Sequence, residues 1–360
     1  MSMPKITFLA SCSAGGAERM TVLFAKILHN YGYQCSIVMI KWGKNSVLLP
    51  ELIPPHIPSR LIDLSFLGKF ANIRIALCMR MEHSDIIFCS QPGNTKRLLK
   101  LKHLGLIRQK IVFRDYLMPH NQISQPGDNG VDIFCKADAI IAQTEEMKQE
   151  MITYYHLQPS LITVINNPLD KELIQESIQE EFPFDHSYTN YVAINRVEPQ
   201  KDMETLLQAF SIVIKERSKS RLYICGIEKQ DYKKKLVAFA NELQIQDRVF
   251  FEGPQANPFK YLYYADVFCL SSLYEGLPNG MLEAMYLGKP IVITRSIPFI
   301  SQTIEVGKHG YIVEVSNPEA FAEAMKKASM LKITEKFVDI CNSEDKIINL
   351  FNNISLNNKQ

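Results

Sequence analysis

The chain has 360 residues, 46% of them hydrophobic and 22% charged, with a formal net charge of +2. That composition suits a globular protein with enough mass for two domains; it excludes a wholly disordered chain and a globally basic nucleic-acid binder, and no run of about eighteen apolar residues marks a membrane span. Eight cysteines lie scattered without a C-x-x-C pair, mostly inside apolar runs, which fits free thiols in a reducing compartment and predicts a cytoplasmic protein without a secretory leader.

Taken in chain order, short apolar runs alternate with longer helical patterns, which predicts an α/β protein built from parallel sheets. The first run, I-T-F-L-A, enters the turn S-C-S-A-G-G-A-E-R at 11–19, and a helix is expected from about Ala17 to Asn30. Gly15 and Gly16 let the backbone approach a ligand closely, with the positive end of the following helix aimed at it; tight strand-to-helix packing would use the same glycines equally well. Arg19 stands where a dinucleotide fingerprint would continue with its third glycine. Further strands are expected near Gln34 to Ile40, Asp85 to Cys89, Lys110 to Phe113, Ala139 to Ala142 and Ile162 to Ile165.

Between Asp85 and Asp115 there is no acid, while Lys96, Arg97, Lys100, Lys102, Arg108, Lys110 and Arg114 fall within that stretch. Leucines interleave with these bases in T-K-R-L-L-K-L-K-H-L-G-L-I, the pattern of an amphipathic basic helix. Such a helix either keeps a solvated basic face or meets an anionic membrane or a pyrophosphate-linked lipid.

The polar, acidic stretch from Lys171 to Asn190, which carries Pro183, is expected to be a linker. After it the alternation restarts: Y-V-A-I-N, R-L-Y-I-C, R-V-F-F, D-V-F-C-L and P-I-V-I-T as strands, with helices over Met203 to Glu216, Tyr232 to Leu243 and Gly280 to Leu287. The expected division is a first domain over 1–180, a second over 187–335, and an Asn-rich tail over 336–360 that either frays or packs back on the first domain. Two open sheets facing each other would place a ligand cleft at the carboxyl ends of their strands.

Two motifs lie at such ends in the second half. N-R-V-E-P-Q-K-D at 195–202 projects Arg196 and Lys201 from one loop, a pair of fixed cations suited to a diphosphate, although loop cations are usually just solvated. S-S-L-Y-E-G-L-P-N-G-M-L-E-A-M at 271–285 ends a strand at Glu275, turns through Gly276, Leu277, Pro278 and Asn279, and starts a helix that carries Glu283 about one turn in. The amides from Leu277 to Gly280 offer a second anion seat; the bland alternative is a turn acid and a surface helix acid.

On these residues the second half resembles the nucleotide-sugar-binding domain of the family 4 glycosyltransferases, whose fold is the GT-B arrangement of two Rossmann-like domains. The likeness runs in order through Arg196 and Lys201, R-L-Y-I-C-G with Gly226, D-R-V-F-F-E-G, A-D-V-F-C-L-S-S-L-Y-E-G-L-P-N, L-E-A-M-Y-L-G-K-P-I-V-I-T, and V-G-K-H-G-Y-I-V before the helix N-P-E-A-F-A-E-A-M. The first half is similar at S-A-G-G-A-E-R, a form common in bacterial members that build surface polysaccharides, at K-A-D-A-I-I-A-Q-T-E-E-M and at I-T-V-I-N-N-P-L-D. Residues 42–84 and the tail lie outside it.

The resemblance implies a retaining glycosyltransferase that moves a hexose or N-acetylhexosamine from a nucleoside-diphosphate sugar, with uridine as the expected base, to a saccharide or polyprenyl-linked acceptor at the inner face of the membrane. Arg196 and Lys201 would hold the diphosphate, Glu283 the ribose, and Glu275 the transferred sugar; Gly15, Gly16, Gly226 and the turn from Gly276 to Asn279 would complete the donor site. Arg114 and His120 are candidates for the acceptor side, and Asp115 for a catalytic group. No D-x-D occurs, so no metal and no cofactor are expected. Departures from the family pattern are Asn195 where Gly is common and the glycine-free loop R-S-I-P-F-I-S-Q. A nicotinamide dehydrogenase, a sugar-nucleotide epimerase and a non-catalytic carbohydrate binder remain as rivals; the first lacks its fingerprint.

Overall fold

The computed structural model describes residues 3–13, 15–43, 52–122, 132–181, 184–333 and 343–356. The expected domain break at 335/336, Pro183, Cys341 and Ala14 of the glycine turn lie outside these residues. Two compact units emerge: Met1–Pro168 together with Cys341–Gln360, and Leu169–Ile340.

The first unit alternates strands and helices: β1 (Lys5–Ser11), α1 (Gly16–Asn30), β2 (Gln34–Lys41), β3 (Ser59–Asp63), α2 (Ala71–Met81), β4 (Ile86–Cys89), α3 (Pro92–His103), β5 (Lys110–Arg114), β6 (Ala139–Ala142), α4 (Glu145–Tyr154) and β7 (Ile162–Val164). All strands pair in parallel in the order β3-β2-β1-β4-β5-β6-β7. Strands β4 and β6 are buried at every position, as continuous apolar runs between two helical layers must be. Chain direction across the sheet reverses between β1 and β4, so the loops after Ser11 and after Cys89 open at the switch point.

The second unit holds α5 (Lys171–Ser177), β8 (Thr189–Ile194), α6 (Met203–Glu216), β9 (Ser220–Cys225), α7 (Gln230–Glu242), β10 (Val249–Gly253), α8 (Phe259–Tyr264), β11 (Val267–Leu270), α9 (Asn279–Tyr286), β12 (Ile291–Thr294), α10 (Pro298–Thr303), β13 (Gly310–Val313) and α11 (Pro318–Ala328). Its sheet, also all parallel, runs β10-β9-β8-β11-β12-β13 and reverses between β8 and β11. Helix α6 buries Leu206, Leu207, Phe210 and Val213 against this sheet, beside Phe321 and Met325 of α11.

One expectation is corrected and two are sharpened. Lys171–Ser177, read as linker, is helix α5: Asp170 caps it by accepting from the Leu173 amide, and Gln175 Nε2 donates to Tyr286 Oη at 3.2 Å. The tail carries a helix, α12 (Ser343–Leu356), whose Ile347, Phe351 and Ile354 are buried in the core of the first unit. Phe351 meets Phe88 at 6.3 Å between ring centroids, Tyr33 Oη donates to Asn352 at 2.6 Å, and Lys110 Nζ donates to the carbonyl of Ile354 at 2.6 Å. The basic helix forms as α3, but Leu98, Leu99 and Leu101 lie in the core, so its apolar half faces inward. Its bases are largely engaged within the unit: Lys102 pairs with Asp138 at 2.5 Å, Arg97 stacks on Trp42 at 4.6 Å, and Lys96 lies 5.5 Å from the Phe134 ring. Elements β3 and α2 fall in the stretch for which neither strand nor helix was anticipated.

Among the described cysteines Cys135 is exposed, the rest are buried and none forms a disulfide; burial pushes the thiols of Cys35 and Cys89 up to about 12 and about 11, away from reactivity.

Candidate functional site

The switch point of the second unit is where β8 and β11 lie side by side, and both loops singled out by their sequence leave it. They are bonded to each other. Ser271 Oγ donates to the carbonyl of Lys201 at 2.7 Å, the Leu273 amide to the carbonyl of Gln200 at 2.9 Å, and Gln200 Nε2 to the carbonyl of Tyr274 at 2.7 Å. On this ladder Lys201 Nζ meets Glu275 Oε1 at 2.5 Å, and Ser272 Oγ donates to the same oxygen at 2.6 Å. Both charged side chains are about nine-tenths buried, which binds the pair tightly because neither charge has water as an alternative.

The loop ends at Asp202, which adopts the left-handed φ of +44° and caps α6 by accepting from Thr205. Arg196 is half exposed and pairs with Glu198 at 2.9 Å; Glu198 in turn meets Lys229 at 3.0 Å. Two cations thus flank one buried carboxylate beside the Lys201–Glu275 pair. Glu198 and Lys229 were not anticipated: the first sits inside the N-R-V-E-P-Q-K-D motif, two residues from Arg196, while nothing local marks the second.

Beyond Glu275, Gly276, Leu277 and Pro278 are buried, and Pro278 occupies the N-cap of α9 without any side-chain hydrogen bond to the helix start. The first-turn amides of any helix point past its N-terminal end, the condition for an anion seat, although that of Met281 bonds the Pro278 carbonyl at 3.2 Å. Gly280 packs that start onto the sheet: a methyl group there would stand 3.0 Å from the Phe268 ring and 3.3 Å from the carbonyl of Ile194. Glu283, on the same short helix as Asn279, is buried.

Gly226 follows β9 with a φ of +145°, and a Cβ on it would lie 1.8 Å from the carbonyl oxygen of Asn195. The glycine therefore lets two strand ends of the sheet touch, a packing reason independent of any ligand. Asn195 itself has both side-chain polar atoms buried without a hydrogen-bond partner.

In the first unit the switch point carries a polar network of another kind. Gly15 is the N-cap of α1 and Gly16 its first residue, with no side-chain cap. A Cβ on Gly15 would lie 2.7 Å from Glu18 Oε2. The buried Glu18 accepts from Ser11 Oγ and, at 2.7 Å, from Gln91 Nε2, whose own oxygen takes Asn94 Nδ2 at 2.5 Å. Arg19 lies in the first turn of α1, its amide bonded to the Gly15 carbonyl.

Arg114 and Asp115, at the end of β5, are turned inward. Arg114 is 1% exposed, donates to Asn167 Oδ1, lies 5.7 Å from the Phe24 ring, and keeps Nε and Nη1 buried without a partner. Burial lowers its guanidinium to about 10. Asp115 accepts from the Tyr116 amide at 2.8 Å, Gln122 Nε2 at 2.8 Å and Tyr155 Oη at 3.1 Å, so its carboxylate fastens the loop that follows β5. His120 is half exposed and hydrogen-bonded through Nδ1 to Glu150 at 2.7 Å.

Residues 174–338 match the family model described as glycosyl transferases group 1, and residues 14–173 match glycosyltransferase family 4. An N-acetylgalactosamine-N,N'-diacetylbacillosaminyl-diphospho-undecaprenol 4-alpha-N-acetylgalactosaminyltransferase of Campylobacter jejuni is 21% identical over 333 residues, 89% of this chain and 88% of that protein. An uncharacterised glycosyltransferase of Methanocaldococcus jannaschii is 32% identical over 165 residues, which span 44% of this chain and 40% of that protein. Among solved structures, Anabaena HepE in complex with UDP-glucose superposes with a TM-score of 0.76 at 18% identity, over 98% of this chain and 99% of that one. Matched from residue 14 to residue 338 by two adjoining models, and built on the two parallel Rossmann-like sheets those enzymes share, the chain belongs to the family 4 glycosyltransferases and has the GT-B fold.

Proposed function

We propose that the protein is a retaining, metal-independent transferase that takes a hexose or N-acetylhexosamine from a uridine-diphosphate sugar and delivers it to a saccharide or lipid-linked saccharide in surface-polysaccharide synthesis. The observation that carries this reading is the bonded pair of loops at the β8/β11 switch point. It gathers Arg196 and Lys201 on one side, Glu275 on the other, and the start of α9, with Glu283, beyond it. Breaking the bond between the anomeric carbon and the diphosphate leaves negative charge on the departing phosphate, and Arg196, Lys201 and the α9 amides are the groups that neutralise it. Glu275 holds Lys201 in place and contacts sugar hydroxyls; Glu283 accepts from the ribose; Gly226 and the turn from Gly276 to Asn279 keep the backbone close to the donor.

On the first unit, Gly15 and Gly16 are assigned to the donor and His120 to the acceptor side; Arg114 and Asp115, expected as an acceptor contact and a catalytic group, are buried, and the roles assigned to them are to hold Asn167 and to position the loop that carries His120. The Campylobacter relative named for an undecaprenol-linked acceptor and the UDP-glucose complex of HepE support the donor and acceptor classes proposed. Peripheral attachment at the inner face of the membrane belongs to the same reading; among the described residues no helix is long and apolar enough to cross it.

The test is a transfer assay over a panel of nucleotide sugars, with the anomeric configuration of the product read by NMR. Retention, turnover undiminished by EDTA, and a rate lowered at least about tenfold by Arg196→Ala or Lys201→Ala, about 1.4 kcal/mol of barrier, are expected. Inverted product, activity abolished by EDTA and restored by manganese, or cation variants as fast as the wild type would each refute the corresponding part.

A further inference from the structure

Helix α2 is apolar on two sides. Ala71, Ile75, Cys78 and Met79 face the core, as a surface helix requires. The opposite side is apolar as well: Phe70 is 69% exposed, Ile73 52%, Leu77 55% and Met81 63%, and Phe66, just ahead, is 98% exposed. At 100° per residue, Phe70, Ile73, Leu77 and Met81 form one stripe along the helix, with exposed Arg74 on one margin and exposed Arg80 on the other. Isolated exposed apolar residues need no explanation, but four on one stripe, with exposed Phe66 in the turn just ahead, form a patch with something to cover it.

The charge around the stripe selects the partner. From Leu64 to Met81 the sequence has no acid, and between Asp63 and Asp115 the acids are Glu82 and Asp85. Glu82 is buried, accepting from Ser36 and facing Arg60, and Asp85 accepts from the Lys5 amide at the start of β4. The turn after α3 adjoins the C-terminal end of α2, where Gln109 Nε2 donates to the carbonyl of Met79 at 2.8 Å. That turn adds exposed Leu104 and Leu106 and exposed Arg108. An apolar ridge edged by exposed arginines suits the boundary between acyl chains and anionic headgroups. The exposed charged side chains bordering the ridge, Arg74, Arg80 and Arg108, are all basic, so its complement is an anionic surface.

We infer that Phe66, Phe70, Ile73, Leu77 and Met81 form a docking ridge that lies in the surface of an anionic bilayer, with Arg74 and Arg80 on its headgroups. The inward-facing leucines of α3 exclude that helix as the inserted element and leave its exposed Lys100 as a supplementary charge. This inference rests on the proposed lipid-linked acceptor for its purpose, though not for its physical basis. A transferase working on a polyprenyl-linked sugar gains by sharing a surface with it.

The test is flotation of the full chain with vesicles of equal parts phosphatidylglycerol and phosphatidylethanolamine, and with pure phosphatidylcholine vesicles. Wild type is expected to float with the anionic vesicles and remain behind with the neutral ones. The triple variant Ile73→Ser, Leu77→Ser, Met81→Ser and the double variant Arg74→Gln, Arg80→Gln should each lower the bound fraction at least about tenfold. UDP binding measured on the same preparations should be unchanged, since these side chains are exposed and on the first unit. Wild type that does not float, or a triple variant that floats as wild type does, overturns the inference. So does a wild-type dimer that the triple variant converts to monomer, which would make the ridge a self-association surface. A wild type that floats but binds no UDP would sink the proposed function and leave the ridge standing.

Discussion

Gly226 shows how a residue chosen for one reason can be required for another. The resemblance placed it among donor contacts, whereas its φ of +145° and the 1.8 Å approach of the Asn195 carbonyl make any side chain there a backbone clash. Gly226→Ala is expected to cost about 3 kcal/mol in urea denaturation, whatever ligand is present; a loss under 1 kcal/mol would mean the two strand ends separate easily. Asp115 gives a pH signature. Burial pushes its carboxyl up to about 6 from the ordinary 3.8, against the hydrogen bonds that favour the charged form. The folded chain therefore takes up a proton as pH falls through about 6, and the unfolded chain only near 3.8. The group's contribution to stability is complete below 3.8 and is lost as pH rises through 6. Melting temperatures of wild type and Asp115→Asn, compared at pH 7 and pH 5, should shift in favour of wild type at the lower pH; a constant difference would show the carboxyl stays ionised. None of this was legible beforehand, because both effects come from contacts made across the fold.

At the scale of elements, central strands were readable and peripheral pieces were not. V-F-C-L and I-V-I-T announce themselves as buried parallel strands, since both faces are covered and no polar residue interrupts them. Edge strand β3, S-R-L-I-D, buries one residue in five and leaves little pattern. Helix α2 escaped because its second apolar side erases the amphipathic period. Helix α12 escaped because asparagines mask the spacing of Ile347, Phe351 and Ile354, which is nonetheless that of a single helical face. That face completes the aromatic core of the first unit, so Phe351→Ala is expected to lower its stability by about 3–5 kcal/mol, while Leu356→Ala, at a 61% exposed position, should change it by no more than about 0.5. Equal effects from the two substitutions, followed by denaturant titration, would mean that α12 does not dock as described.

For the molecule as a whole, the order of each sheet matters more than the identity of any one strand. Both sheets reverse direction once, and each reversal collects motifs that had been picked out by their residue types: the glycine turn with Glu18 at β1/β4, and the loops of Arg196, Lys201 and Glu275 at β8/β11. Spelling located those loops but gave no hint of the bonds between them, which join positions some seventy residues apart. Nor did it show that Glu198 ties Arg196 to Lys229. The central claim is that the second switch point binds a uridine diphosphate through Arg196, Lys201 and Glu283. Calorimetric titration of UDP into wild type, Arg196→Ala and Glu283→Ala tests it most directly. Saturable binding by wild type, weakened at least about tenfold, or 1.4 kcal/mol, in each variant is the predicted result; absence of binding by wild type, or variants that bind as tightly, would contradict it.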